Sequence, residues 1–287
     1  MVLWDGSPHA WFGAGSVSCC LMLAMDDATG AVLVARFFPF EGSWGYLWLL
    51  DQLVRQYGIP VSIYQDRHGS LHRNDDHWTL EEQLAGRQEL TQVGQALAAL
   101  GIQPIFALSP EAKGRIERLF GTLQDRLGAE MSLAGLQTLE EANAFLESTF
   151  IRAYNRRFAV MPSQSEKAWR PVPAGFDLKR IISFRYSAKV GLDNTVRLAG
   201  TLMDIPAGPK GRSYARAKVE VRQLLDGSWK IYHQNQLIAR LPPTTLKEPI
   251  RALRRKPESR GEPLSPSYVY FASTPPTQIE RITPGST

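Results

Sequence analysis

The stretch Ser109–Leu127, SPEAKGRIERLFGTLQDRL, decides the fold. It follows QPIFAL, which reads as an extended strand, and passes through a loop into an amphipathic helix. Pro110 suits a turn or a first helical position, and Gly114 frees the loop backbone. From Arg115 onward, Ile116, Leu119, Phe120, Leu123 and Leu127 recur at helical spacing, so one face packs on a core. Glu117 stands in the first turns beside that face, with Lys113, Arg115 and Arg118 around it. Taken alone, it reads as a solvated helix carboxylate paired with arginine. The residues upstream give it a second reading.

Two aspartates end apparent strands before this helix. MVLWD ends in Asp5, and VSIYQD ends in Asp66 after the turn Gly58-Ile59-Pro60. Strand ends on one sheet, followed by a helix carrying a third carboxylate, can converge on one point. Two unit charges about 4 Å apart repel by roughly 4 kcal/mol at an effective dielectric near 20. Three carboxylates therefore call for divalent metal. Oxygen ligands with no histidine or thiolate cluster suit Mg²⁺ or Mn²⁺.

The element order, WDGSPHAWF around Asp5, the hairpin DDATG, YQDRHGSL around Asp66, the Glu117 stretch and ANAFLESTFIRAYNRRFAVMP after it resemble one superfamily in combination. That superfamily is the DDE transposases and retroviral integrases, and within it the ISNCY-type insertion-sequence transposases of bacteria. The resemblance runs over roughly residues 1 to 240. It implies an α/β, RNase H-like integrase catalytic core, a mixed five-stranded sheet with flanking helices, over residues 1–160. It also implies that Asp5, Asp66 and Glu117 are catalytic and hold two Mg²⁺ or Mn²⁺ ions, with Lys113, Arg115 and Arg118 binding adjacent DNA phosphates. The implied partners are double-stranded DNA, as transposon ends and target, and further copies of the chain assembled on that DNA. These transposases carry a helix-turn-helix region before the first catalytic strand, whereas here that strand begins at Met1. The implied activity is metal-dependent DNA strand cleavage and strand transfer, the alternatives being a DNA-binding transposase remnant or an RNase H-like nuclease that cuts but does not join. Without the helix-turn-helix region, the expectation is little sequence preference and weak nicking.

Composition sets limits. With 287 residues and 44% hydrophobic content the chain can bury a full core. No apolar run reaches the ~18 residues of a membrane span, and MVLWDGSPHAW is not a signal peptide. Adjacent Cys19 and Cys20 lie in a strand-like run and read as buried thiols, which fits a reducing cytoplasm. The net charge of +5 hides a division. Residues 1–177 hold 14 Lys/Arg against 20 Asp/Glu, a net of −6, while residues 178–287 hold 19 against 8, a net of +11. A basic C-terminal half supplies affinity for a polyanion.

SVSCCLMLAM and AVLVARFFPF read as strands joined by a hairpin turn at DDATG, where turn chemistry accounts for Asp26 and Asp27. SWGYLWLLDQLVRQYG reads as a core-facing helix ended by Gly58. Arg67 to Thr91 read as a polar surface insertion whose histidines match no zinc spacing. A capping box at Thr138 and Glu141 opens the helix that closes the core. At that helix's end, Asn155, Arg156 and Arg157 read equally as phosphate contacts and as a cationic helix terminus.

Residues 161–180 read as a linker. Short strands over 181–245 suggest a small all-β barrel that binds DNA through Lys218, Arg222, Lys230 and Arg240, with Trp229 and Tyr232 between them. Residues 246–287 read as a disordered basic tail.

Overall fold

The computed structural model describes residues 1–13, 16, 18–107, 114–164, 166 and 168–244. Lys113 and the tail expected over 246–287 lie outside the described residues. The first three strands form a meander: β1 (Val2–His9), β2 (Cys19–Asp26) and β3 (Val32–Phe38). Every β2 residue before Asp26 is buried, because Cys20, Met22 and Ala24 enter one apolar cluster while Cys19, Leu21, Leu23 and Met25 enter the other. That alternation is the period of two of a strand covered on both faces.

Helix α1 (Ser43–Tyr57) covers the first face, and Gly45 lets it approach closely. A Cβ there would lie 2.1 Å from Met22 Sδ. The chain then forms β4 (Ile59–Pro60) and β5 (Ser62–Gln65), crosses the insertion with α2 (Leu80–Ala85), and returns through α3 (Gln92–Ala99) to β6 (Gln103–Phe106). The insertion is more ordered than its composition suggests. Thr79 and Glu82 close a capping box on α2, and the Glu82 carboxylate also pairs with Arg73.

The five strands hydrogen-bond in the order β3-β2-β1-β5-β6, with β1/β5 and β5/β6 parallel and the meander antiparallel. This mixed five-stranded sheet with helices on both faces is the arrangement expected from the sequence for residues 1–160. The second face is covered by α4 (Gly114–Leu133) and by one bent helical run. That run comprises α5 (Leu139–Phe145), a π-turn (Leu146–Phe150) and α6 (Ile151–Phe158).

The π-turn has a consequence for the sheet edge. Asn143 accepts the Phe37 N–H at 2.7 Å and donates to Phe37 O, and Asn155 does the same for Val32 at 2.9 and 2.8 Å. At about 100° per residue, twelve helical residues would leave the two asparagines about 120° out of phase, and one bulged residue brings them within about 20°. Both amides then clamp the free edge of β3. Asn155 is thereby occupied within the fold rather than presented to phosphate.

Residues 161–180 carry β7 (Trp169–Arg170), antiparallel to β4, and α7 (Leu178–Ile181), and Arg170 Nη2 donates to the carbonyls of Leu100 and Gly101 beyond α3.

Beyond them lie β8 (Phe184–Lys189), β9 (Thr195–Leu198), β10 (Thr201–Asp204), β11 (Lys218–Gln223), β12 (Trp229–His233) and β13 (Gln236–Leu241). The expected barrel does not form: among the described residues no sheet closes. β13-β12-β11-β8 is an open antiparallel sheet, and β9-β10 is a separate hairpin. Closure needs the first and last strands to pair, but the chain leaves β8 through a tight turn. There Gly191 N bonds Thr195 O at 2.7 Å and Asn194 takes a φ of +61°. The Asn194 side chain then ties Ile205 O and Tyr214 N. The hairpin lies face-on, burying Val196 and Met203 with Val221, Trp229 and Ile231. Trp229 and Tyr232, expected on a DNA-facing surface, are both buried.

Phe184 and Ile182 belong to the same cluster as α1 and α3, so the C-terminal sheet grows directly from the core. Among the described residues, no helix is long and apolar enough to cross a membrane.

Candidate active site

Strand register brings the two aspartates together. β1 pairs with β5 through Val2↔Ile63 and Leu3↔Tyr64. The indole N–H of Trp4 donates to Gln65 Oε1 at 3.0 Å, which carries the correspondence one residue further. Extended past the end of β5 at Gln65, the same register sets Asp5 level with Asp66, on neighbouring chains whose strands lie about 4.8 Å apart. Leu3 belongs to the cluster under α4 and Tyr64 packs against it, so Asp5 and Asp66, two residues on, face the same side. Asp66 Oδ1 accepts the His68 N–H at 2.8 Å, which fixes the loop leaving β5.

Helix α4 runs alongside β1 in the same direction. Gly114, Arg115 and Arg118 border a cleft with Met1, Leu3 and Tyr64, and Gln124 Nε2 donates to Ser7 Oγ at 3.1 Å. Glu117 lies about 10.5 Å before Gln124 along the helix, and Asp5 lies about 6.7 Å before Ser7 along the strand. The two carboxylates therefore differ by about 4 Å in level. A Cβ at Gly121, between Glu117 and Gln124 on that stripe, would meet nothing within 4 Å, so the space beside the helix is open. Glu117 is exposed. Among the described residues, no three His, Cys, Asp or Glu side chains are grouped so as to hold a metal ion. Side by side, then, stand Asp5 and Asp66, with Glu117 on the helix above them and not closed onto them.

A fourth carboxylate at this end of the sheet was not singled out from the sequence. Glu41, in the turn after β3, accepts the Tyr46 hydroxyl at 2.6 Å and lies 3.6 Å from His68 Nδ1. Its side chain rests on Gly6, where an added Cβ would come within 2.7 Å of it. Burial pushes the Tyr46 hydroxyl well above its ordinary pKa, and the negative charges of Glu41, Asp5 and Asp66 add to that. The Cys20 thiol is pushed up to about 12, first by burial and then by Glu41. These shifts place Glu41 and Asp5 in one shared negative field. The only sequence trace of this was a glutamate in a Pro-Phe-Glu-Gly turn.

The expected DNA contacts fall into three groups. Arg115 is engaged with Asp27, donating to its carbonyl at 2.6 Å and its carboxylate at 2.9 Å, while Arg118 and Arg156 are exposed. Arg157 is exposed, with its guanidinium 5.5 Å from the Phe158 ring centre. Lys218 and Arg240 are exposed on the C-terminal sheet. Lys230 pairs with Asp177 at 3.5 Å, and Arg222 is largely buried against Glu220 at 2.9 Å.

No protein-family model matches the chain. It is 34% identical over 224 residues to "Putative transposase y4bF" of Sinorhizobium fredii, covering 78% of this chain and 48% of that protein. It is 38% identical over 184 residues to "Transposase for insertion sequence IS1202" of Streptococcus pneumoniae, covering 63% of this chain and 38% of that protein. The chain therefore spans less than half the length of either curated relative. Among solved structures, the catalytic core domain of BIV integrase aligns at 19% identity and TM-score 0.34, over 52% of this chain and 84% of that one. A chain of the simian T-cell lymphotropic virus intasome with PP2A regulatory subunit B56 gamma aligns at 13% identity and TM-score 0.38, over 85% and 79%. Those TM-scores are too low to establish a shared fold, and the architecture rests on the strand order itself. By sequence, the chain is homologous to bacterial transposases.

Proposed function

We propose that this chain is the catalytic part of a DDE-type transposase of the ISNCY kind, which cuts and joins strands of double-stranded DNA at element ends and target. The observation that carries the proposal is the register that sets Asp5 opposite Asp66 beneath the helix of Glu117, in a chain homologous to transposases. Three carboxylates, with no histidine or thiolate among them, suit a hard divalent cation such as Mg²⁺ or Mn²⁺. Asp5 would hold both of two ions, Asp66 one and Glu117 the other. When bound, such ions polarise a phosphodiester and supply an activated oxygen nucleophile at neutral pH.

The chain's own residues do the rest. Asp5 and Asp66 are fixed by neighbouring strands, so their separation is set by backbone pairing. Glu117 is near a helix start and exposed, so its side chain would have room to turn toward Asp5 and Asp66 as a ligand. Arg118, one residue on, lines the adjoining cleft and is placed to hold a neighbouring phosphate. Exposed Arg156, Arg157, Lys218 and Arg240 extend the cationic surface, and copies of the chain assemble on DNA in the cytoplasm.

The experiment is plasmid nicking by the purified chain with Mg²⁺ or Mn²⁺, beside Glu117→Gln. The variant should lose metal-dependent nicking while keeping its DNA affinity. Undiminished nicking by Glu117→Gln would overturn the assignment.

A further inference from the structure

Where α3 meets the C-terminal sheet, three guanidiniums converge on one carboxylate. Glu220 Oε1 accepts Arg180 Nε at 3.2 Å, Arg180 Nη2 at 3.0 Å and Arg222 Nε at 2.9 Å, and Glu220 Oε2 lies 3.0 Å from Arg185 Nε. Three guanidiniums present roughly fifteen N–H groups, whereas one carboxylate offers roughly four acceptor positions. Glu220 is thus saturated well before its partners are. A second carboxylate on the same cleft, Asp177, is paired with Lys230 at 3.5 Å, so the three arginines and Glu220 leave two positive charges uncompensated.

This excess charge lines a cleft of about 480 Å³, which Gln95, Ser183 and Asn235 also border with neutral polar groups. Its frame is rigid. Gln92 exchanges two hydrogen bonds with the Arg185 backbone, at 2.7 and 2.9 Å, and Arg180 stacks 4.0 Å above the Tyr232 ring while donating to Asn235 Oδ1 at 2.7 Å. Arginines held so firmly lose little freedom when they bind a second anion. A tetrahedral oxyanion matches their forked donors.

We propose that this cleft binds a phosphate group through Arg180, Arg185 and Arg222, and that the phosphate belongs to a polynucleotide backbone. The choice of source rests on the proposed function and on the net +8 of residues 178–244, which hold 12 Lys/Arg against 4 Asp/Glu. The site itself rests on the geometry alone. Glu220 plays the part of an internal placeholder, holding the three guanidiniums together until phosphate joins them.

The test uses the full 287-residue chain, with Arg185→Ala and Glu220→Gln as variants. Arg185 has a side chain 54% exposed, so its removal leaves the fold intact. One arm measures binding to a labelled duplex oligonucleotide between 50 and 200 mM salt. Arg185→Ala should weaken it about tenfold at the lower salt and reduce the slope of log K against log salt by about one. Glu220→Gln should tighten it several-fold, because the placeholder charge is gone. A second arm follows thermal stabilisation by inorganic phosphate at constant ionic strength. If phosphate stabilises the unmodified chain but not Arg185→Ala while duplex binding is indifferent, the phosphate site stands and its source is a small molecule. If neither arm responds to either variant, the proposal is overturned and the cluster is a structural ion pair. Failure of the Glu117 assignment would leave these slopes unmoved, so the two results are separable.

Discussion

Gly6→Ala probes the packing behind Asp5 with a predicted change of sign. Gly6 lies inside β1, where alanine normally gains about 0.5–1 kcal/mol over glycine. Here its Cβ would sit 2.7 Å from Glu41 Cδ and 2.8 Å from Glu41 Cγ and Oε2, so the Glu41 side chain must move. Moving it breaks the 2.6 Å bond from Tyr46, whose ring is fully buried, and strands the hydroxyl at a cost of about 2 kcal/mol. The net is a loss of about 1 kcal/mol, or a fall in Tm of about 2–4 °C. In a Tyr46→Phe background there is no hydroxyl to strand, so the same Gly6→Ala change should be neutral or slightly stabilising. Urea unfolding of the four proteins of this cycle gives the coupling directly, expected at about 1 kcal/mol or more. Equal cost in both backgrounds would refute the claim that Glu41 is pinned between Gly6 and Tyr46.

Asn155→Ala should cost about 1–3 kcal/mol by leaving the Val32 N–H and C=O without their partner, and hydrogen exchange should show β3 losing protection before β1. Acid should loosen the insertion first. The Glu82 carboxylate is held down at about 2, chiefly by the backbone N–H groups of Glu89 and Thr79, against an ordinary value of 4.5. Its folded pKa is the lower one, so its contribution is complete above about 4.5 and fades as pH falls toward 2. Exchange in residues 72–90 should rise over that window, and Glu82→Gln should show the rise already at neutral pH.

The sheet and its helices were legible because their patterns are periodic. The covered alternation of β2, the apolar stripe of α1 and the Ile116–Leu127 stripe each follow one period over many residues. Asp66 stood out because it follows the end of β5, whereas Asp5, read as a strand end, lies within β1, which runs on to His9. Other features depend on contacts between segments far apart in the chain. Glu41 joins the site through Gly6, Tyr46 and His68, and nothing local marks it. Arg222 read as a surface cation because it sits on a strand of alternating charge. Only the fold reveals that Glu220 holds it inward beside Arg180 and Arg185. The barrel failed for a similar reason. Short alternating strands report pairing but not closure, and the Asn194 turn directs the hairpin onto the sheet's face. The π-turn that phases Asn143 with Asn155 is likewise invisible in a helical pattern that continues on both sides.

The central claim is that Asp5, Asp66 and Glu117 hold two divalent cations between them, and anomalous scattering from crystals of the chain grown with Mn²⁺ tests it most directly. The account predicts one peak with carboxylate oxygens of Asp5 and Asp66 at coordination distance, about 2.0–2.3 Å, and a second between Asp5 and an inward-turned Glu117 side chain. A saturated crystal with no peak between Asp5 and Asp66, or with manganese bound only at other carboxylates, would contradict it.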